Sequence, residues 1–244
     1  MKDVGISKEI YLSPSKLDLF NECQLCFWLQ EKHGIKRPGT FPTLPQGMDV
    51  KIKKYFDEYR RKDVLPPELS NEVQGKLVKQ DLINEWRSNG KRTRPFYEDK
   101  NLKAVLYGAL DECLVIQENG EEKYIPVDFK TRGYDFKENA GEKSSQENYD
   151  DFYQLQLDAY TLMLEGSGYK TKRKAYLIYY IPEEVKEGAI VKFKVRVSRI
   201  ETNPDNAREV FEKAVKLLKG DLPPHPAPQC KYCEYFKKRG GQIK

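Results

Sequence analysis

The chain has 244 residues, of which 39% are hydrophobic and 33% charged, and its formal net charge is +5. This length suits one α/β domain with additional elements and its own hydrophobic core, and the mean hydropathy of -0.78 excludes the membrane-embedded and disordered classes. No apolar run approaches the ~18 residues of a transmembrane helix, and the first residues lack a signal-peptide core, so we expect a cytoplasmic protein with no membrane partner.

Residues 1–100 are predicted to be mainly helical. Ser13 and Pro14 have the residue types of an N-cap and a first helical position. Apolar residues then recur at helical spacing, and Gly90 ends the last of these segments. Helices are predicted over residues 13–32, 48–62 and 74–89.

After residue 101 the hydrophobic pattern changes to that of an α/β core, predicted over 101–220. Two apolar segments flank Asn119-Gly120, a dipeptide typical of a tight β-hairpin turn. An acidic loop follows, then a helix, two strands and a last helix. The strands are predicted over 102–117, 122–130, 174–181 and 189–200, and the helices over 148–165 and 204–219. The remaining residues, 221–244, form a Pro-rich tail with a CxxC motif.

Two acidic residues and a lysine lie on the predicted hairpin. Its arms bring Asp111 and Asp128 together, where the two carboxylates repel unless a divalent cation binds between them. Lys130 points to the same face as Asp128 because strand side chains alternate. Its ammonium could hold an attacking water or neutralise developing charge on a phosphate. A surface hairpin with charged ends is the alternative for this trio taken alone.

The helix after the hairpin has a stripe of aromatic and polar residues. Tyr149, Tyr153, Gln156 and Tyr160 fall on one face at helical spacing. The opposite face, which includes Phe152, is predicted to pack on the sheet. Gln156 and Tyr160 are then able to face the carboxylates or a bound DNA, although a Tyr-rich core stripe remains an alternative.

In order and spacing, these motifs resemble the RecB-like branch of the PD-(D/E)XK nuclease superfamily, in particular CRISPR-associated exonucleases and AddB-type nuclease domains. "GALD" with Asp111 resembles motif II, and "VDFKT" with Asp128 and Lys130 resembles motif III. "QLDAY" resembles the QxxxY motif with Gln156 and Tyr160. "LSPSKLDLFNECQLCFWL" resembles the opening segment of these nucleases, and "CKYCEYF" their C-terminal cysteine segment.

The resemblance implies a restriction-endonuclease-like αβββαβ core, with a mixed central sheet flanked by helices, an N-terminal helical segment and a C-terminal cysteine tail. All of residues 1–244 would then form a single nuclease domain. It further implies Mg²⁺ or Mn²⁺ at Asp111 and Asp128, and hydrolysis of DNA phosphodiester bonds. We expect an exonuclease on single-stranded or end-containing DNA, acting with other proteins in CRISPR adaptation or in DNA repair and recombination.

The chain departs from this family at one metal ligand. The family commonly has a metal-binding His in the second helix, after a Gly, whereas "QGMDVKIKKYF" has Gly47 but no His. Asp49 is the candidate replacement ligand. Alternatively, Lys51 occupies the position and weakens metal binding.

Four cysteines form two CxxC pairs, Cys23 with Cys26 and Cys230 with Cys233. The resembling iron-sulfur nucleases have one cysteine in the opening segment and three at the C-terminus. Here the third is absent, with Arg239 near its place, and Cys26 offers a replacement. Four thiolates can hold a [4Fe-4S] cluster or a tetrahedral Zn²⁺, and the resemblance favours the cluster. Either would make the tail pack back on the first helix; disulfides and free thiols are the alternatives.

Two other functions stay open on the sequence. Basic segments rich in Tyr, including residues 51–62 and 169–174, suit contact with a nucleic-acid backbone, although each is also compatible with a solvated helix face. A DNA-binding protein with a decayed nuclease core fits the missing His. A cysteine-stapled metal or redox module without a nucleic-acid role fits the two CxxC pairs alone.

Overall fold

A computed structural model describes residues 9–39, 43–88, 90, 93–136 and 146–239. Most of the predicted acidic loop lies outside these residues. The helices of the described part are α1 (Pro14–Glu22), α2 (Gln24–His33), α3 (Thr43–Arg61), α4 (Gln80–Arg87), α5 (Gln146–Gly166), α6 (Pro204–Lys219) and α7 (Lys231–Lys238). The strands are β1 (Ile10–Leu12), β2 (Lys76–Leu77), β3 (Phe96–Asp99), β4 (Ala104–Tyr107), β5 (Glu112–Glu118), β6 (Glu121–Thr131), β7 (Lys174–Lys186) and β8 (Ile190–Glu201).

The central sheet has five strands in the order β2-β5-β6-β7-β8. Strands β6 and β7 pair in parallel, and the other neighbours are antiparallel. Apart from α4, β3 and β4, which lie between β2 and β5 in the chain, the order α3, β2, β5, β6, α5 and β7 is the expected αβββαβ order, with β8 added at the edge. The predicted α/β class with a mixed sheet between helices is therefore confirmed. A small second sheet has the order β1-β4-β3.

Helices α3 and α5 cover opposite faces of the central sheet. Val127 and Phe129 on β6 share a buried apolar cluster with Ile52 and Phe56 of α3, and the rings of Phe56 and Phe129 lie 4.6 Å apart. Because strand side chains alternate, the intervening residue Asp128 points to the opposite face, under α5. Both faces of β6 are thus buried, one against apolar and one against polar side chains.

The predicted hairpin joins β5 to β6. Asn119 and Gly120 have φ values of 53° and 78°, the left-handed conformations that a type I′ turn requires. In the resulting register Glu112 pairs with Val127, so the preceding Asp111 stands opposite Asp128.

Two of the predicted elements are divided in the structure. The helix predicted over 13–32 breaks at Cys23, whose extended backbone (φ -162°, ψ 106°) ends α1 and begins α2. The strand predicted over 102–117 breaks between β4 and β5. A Cβ on Gly108 in that break would lie 3.1 Å from Pro14 and 3.3 Å from Met163, so glycine allows α1 and α5 to approach the chain there.

Several short elements differ from the sequence prediction. The segment 74–89, predicted as one helix, contains β2 before α4. Strands β1 and β3 add to the region predicted as mainly helical, and the tail contains α7. Strand β1 exists through its parallel pairing with β4, a contact between residues far apart in the chain. Within the described residues, none of the helices is long and apolar enough to cross a membrane.

Replacement of Phe56 by alanine tests the packing of α3 on the sheet. Phe56 is 1% exposed and contacts Phe129, so we expect Phe56→Ala to reduce the free energy of unfolding by about 3–5 kcal/mol in denaturant titrations. Glu58→Ala, at an exposed position of the same helix, should change it by less than about 0.5 kcal/mol. Equal effects of the two changes would contradict this packing.

Candidate active site

A cleft of about 410 Å³ lies where Asp111 and Asp128 meet at the end of the β5–β6 hairpin. All six side chains predicted to form the site line it: Asp49, Asp111, Asp128, Lys130, Gln156 and Tyr160. They come from α3, the two strands of the hairpin and α5. The central sheet and its two covering helices therefore bring together residues that are more than 100 positions apart in the sequence.

Asp128 is the most deeply buried of the acidic residues in the cleft, at 1% exposure. Its Oδ1 accepts hydrogen bonds from Gln156 Nε2 at 3.2 Å and from Tyr160 OH at 3.4 Å. Its Oδ2 lies 2.5 Å from Lys130 Nζ as an ion pair, but among the described residues it has no partner with hydrogen-bond geometry. Hydrogen bonds from α5 thus hold Oδ1, whereas only the positive charge of Lys130 compensates Oδ2.

Lys130 is held in place by the same helix. Its Nζ donates to Gln156 Oε1 at 3.1 Å and lies 4.2 Å from the centre of the Tyr153 ring. Gln156 Nε2 also donates to Tyr160 OH at 2.7 Å. The amide of Gln156 therefore contacts the carboxylate, the ammonium and the phenol at once, which fixes their relative positions.

Asp111 forms an ion pair that sequence reasoning missed. Lys53 Nζ on α3 lies 2.8 Å from Asp111 Oδ1 and 2.8 Å from Asp49 Oδ2. Lys51, the alternative considered from the sequence, is exposed. Lys53 follows Asp49 by four residues, so helical spacing places both on one face, and this pattern could have identified it. Asp49 does reach the cleft, but Lys53 already neutralises it.

A buried network of charged side chains fixes the backbone at Asp111. Glu112 is fully buried and accepts from Arg60 Nη2 at 2.5 Å and from Arg87 Nη2 at 3.1 Å. Arg87 Nε also donates to the carbonyl oxygen of Asp111 at 2.9 Å. A glutamate at the start of the apolar segment "CLVI" was the sequence signal for this network.

Burial dominates the electrostatics of Asp128. It raises the pKa of the Asp128 carboxyl to about 7; the charge of Lys130 opposes this shift and that of Asp111 adds to it. For Lys130, burial acts against the charged form, but attraction to Asp128 outweighs it and raises the pKa of the ammonium. The pair thus holds a charged lysine beside a carboxyl that loses its proton near neutral pH.

A sequence model of the PD-(D/E)XK nuclease superfamily matches residues 51–237, more than half of the chain. The chain belongs to the PD-(D/E)XK nuclease superfamily. A search of the curated proteins found no match. The matched segment includes the β5–β6 hairpin and the helix that covers it, but begins after Asp49.

Nucleases of this superfamily use divalent metals, and the cleft has suitable ligands for one. Asp111 and Asp128 present carboxylate oxygens from adjacent strands, as Mg²⁺ and Mn²⁺ prefer. The buried Oδ2 of Asp128, without a hydrogen-bond partner among the described residues, is an oxygen that a cation would satisfy. The Lys53 ammonium competes for the carboxylate of Asp111.

Not all of the α5 stripe faces as predicted. Tyr153, Gln156 and Tyr160 line the cleft. Tyr149 instead stacks with the guanidinium of Arg132, 3.7 Å from its ring centre. Phe152 is 73% exposed rather than packed on the sheet, so that part of the prediction is wrong; it lies one turn before Leu155, where the buried part of the apolar face begins.

The four cysteines near the two ends of the chain form a second cluster of functional side chains. The sulfur atoms of Cys23, Cys26, Cys230 and Cys233 all lie within 4.8 Å of one another. The tail therefore packs against the start of α2. Four cysteine thiols gathered in one place are a ligand set for a metal ion or a cluster. Cys113, buried in β5, lies outside this group.

The electrostatics of the metal-free cleft can be measured by NMR titration of side-chain carboxyl carbons. We expect Asp128 to titrate near pH 7, because burial disfavours its charged form. Lys130→Met should raise this pKa further by removing the favourable cation, and Asp111→Asn should lower it by removing the repelling anion. A wild-type pKa near the ordinary 3.8 would contradict the buried position of Asp128.

Proposed function

We propose that this chain is a divalent-metal-dependent DNA nuclease of the RecB-like type, with residues 1–244 forming one nuclease domain. The observation that carries the proposal is the pair Asp128 and Lys130, which is buried beneath Gln156 and Tyr160 and faces Asp111 across the hairpin. This arrangement supplies both ligands for a hard cation and a fixed ammonium in one cleft. The superfamily makes DNA the expected substrate.

Each side chain has a separate role in the proposed reaction. Asp111 and Asp128 would hold Mg²⁺ or Mn²⁺, which supplies Lewis-acid activation of the phosphodiester and of water. Lys130, fixed by Gln156, would orient the attacking water and stabilise the negative charge that develops on the phosphate. Gln156 and Tyr160 hold Oδ1 of Asp128 in position. Asp49 would enter the metal shell only after losing its contact with Lys53.

Single-stranded or end-containing DNA is the substrate that the surroundings of the cleft favour. Phe152, 73% exposed, contacts the ring of Tyr153, which lines the cleft. Tyr134, 70% exposed, lies two residues beyond Arg132 at the end of β6. Exposed aromatic rings beside the cleft can stack on unpaired bases. An exonuclease role in CRISPR adaptation or in DNA repair, with partner proteins of those processes, follows from the RecB-like resemblance.

A non-catalytic DNA-binding protein is the second candidate function. One observation favours it: the Lys53 ammonium lies 2.8 Å from Asp111 and compensates the charge of this carboxylate without a metal ion. A protonated lysine donates hydrogen bonds but cannot coordinate a metal. Under this alternative the cleft binds DNA without metal and without hydrolysis.

Cleavage of labelled DNA tests the two candidates directly. Wild-type protein and Asp128→Ala are incubated with single-stranded and with double-stranded DNA in Mn²⁺, and the products are separated by size. The nuclease proposal predicts cleavage by the wild type alone, faster on single strands. DNA binding without cleavage by either protein would favour the non-catalytic alternative.

Substitutions in the cleft should separate catalytic from positioning residues. Asp111→Ala, Asp128→Ala and Lys130→Ala should each reduce the cleavage rate about 100-fold or more, since each removes a metal ligand or a charge donor. Gln156→Ala and Tyr160→Phe should give smaller losses, because they act through Asp128 and Lys130. Asp151→Ala, at an exposed position of α5, is the matched control and should cleave like the wild type. A rate within a few-fold of wild type for Asp128→Ala would refute the assignment.

Lys53 should control metal affinity. Lys53→Met removes the ammonium that competes for Asp111, so we expect calorimetry to show Mn²⁺ binding roughly tenfold tighter. Lys53→His should bind Mn²⁺ at least as tightly, since it adds a neutral nitrogen ligand. Lys54→Met, at the exposed neighbouring position, should leave the affinity unchanged. Unchanged affinity in both Lys53 variants would show that this lysine does not compete with the metal.

A further inference from the structure

We propose that the four cysteines bind a single tetrahedral Zn²⁺ and that the [4Fe-4S] cluster implied by the RecB-like resemblance does not occupy this site. The inference rests on the spacing of the sulfur atoms and on the backbone that carries them. It is independent of the proposed nuclease activity, because none of the four cysteines lines the active-site cleft.

The sulfur spacing matches that around one zinc ion. The Sγ atoms of Cys26 and Cys230 lie 3.6 Å apart, as do those of Cys26 and Cys233, and those of Cys23 and Cys233 lie 3.8 Å apart. A tetrahedron with Zn–S bonds of about 2.3 Å has sulfur atoms about 3.8 Å apart. Three of the six sulfur–sulfur distances are therefore close to those around a zinc ion, and all six are 4.8 Å or less.

The same spacing is too small for a [4Fe-4S] cluster. In such a cluster each thiolate binds a different iron at the corner of a cube, which separates the cysteine sulfurs by about 6 Å. Here all four sulfurs lie within 4.8 Å of one another. To admit the cluster, the start of α2 and the start of α7 would have to move apart. A disulfide is not formed either, since its sulfur atoms bond at about 2.05 Å.

The two CxxC pairs have the same position on their helices. Cys23 is the N-cap of α2 and Cys230 the N-cap of α7. Cys26 and Cys233 follow three residues later, at the third helical position of each helix. The partial positive charges of two helix N-termini therefore lie beside the thiols. Each helix start thus contributes two thiols from the same two positions.

Hydrogen-bond donors around the sulfurs suit deprotonated thiolates. The backbone N–H of Ala227 donates to Cys23 Sγ at 3.5 Å, and Arg37 Nη2 donates to Cys230 Sγ at 3.5 Å. Four thiolates around a dication carry a net charge of about -2, which such donors and the Arg37 guanidinium offset. Leu25 and neighbouring apolar side chains pack around Cys23, Cys26 and Cys230, whereas Cys233 is partly exposed.

Metal analysis of protein made with both metals present tests the proposal. The chain is expressed in medium supplemented with iron and zinc, purified without oxygen, and measured for zinc, iron and acid-labile sulfide. We expect one zinc per chain, negligible iron and no visible colour. After removal of zinc, Co²⁺ should give the intense visible bands of tetrahedral thiolate coordination, which are absent from octahedral cobalt.

Two cysteine variants provide the matched comparison. Cys26→Ala should lose zinc and the cobalt bands, whereas Cys113→Ala, which removes a buried thiol outside the group, should retain both. A zinc chelator should lower the Tm of the wild type and of Cys113→Ala by several degrees or more, since the ion ties residues 210 positions apart. If Cys26→Ala does not fold, the metal content, cobalt spectrum and chelator response of the wild type still distinguish zinc from a cluster and from free thiols.

Iron and sulfide at about four of each per chain, with broad visible absorption, would overturn the proposal in favour of the cluster. Absence of both metals, with no cobalt bands, would overturn it in favour of free thiols. Neither result bears on DNA cleavage, which is assayed separately with Mn²⁺, so failure of the zinc site and failure of the nuclease proposal are distinguishable.

Discussion

The site depends on the burial of one carboxylate, that of Asp128, on the face of the sheet beneath α5. A buried carboxylate is costly unless hydrogen bonds or charges compensate it. Successive side chains of β6 point to opposite faces of the sheet. Because Val127 and Phe129 enter the apolar cluster under α3, Asp128 and Lys130 point toward α5, and the compensating groups must come from that helix. That helix must then supply polar groups at an otherwise apolar interface, and Gln156 meets the requirement by contacting both charges.

The residues whose positions follow from strand and helix periods were predictable from the sequence. Hairpin register aligns Asp111 with Asp128, and helical spacing groups Gln156 with Tyr160; the structure shows both placements. Helical spacing pairs Lys53 with Asp49, but the contact of Lys53 with Asp111 is set by the tertiary packing of α3 on the sheet and was missed. The strands β1 and β2 were missed for a related reason: each has only two or three residues and exists through pairing with a distant strand.

The cysteine site and the cleft are connected through α1. This helix ends at Cys23 and packs against α5, the helix that covers Lys130. Burial raises the pKa of Asp18 on α1 to about 6, and the charge of Lys130 opposes this shift, so α1 lies within electrostatic range of the cleft. The proposed zinc ion, by fixing the end of α1 to the tail, would therefore also restrain one wall of the cleft. It would give the distant cysteines a structural role without a part in the chemistry.

Charge balance explains how a lysine can occupy a metal-binding neighbourhood in a nuclease fold. With Asp49, Asp111 and Asp128 ionised, their three negative charges face two positive charges from Lys53 and Lys130. A divalent ion alone would leave an excess of one positive charge, and the single negative charge of a phosphodiester would neutralise it. Metal and DNA should consequently bind more tightly together than separately, since each removes the electrostatic cost of the other. In the proposed nuclease, the Lys53 ammonium would therefore make metal binding depend on the substrate, whereas a neutral histidine would bind metal in the absence of DNA.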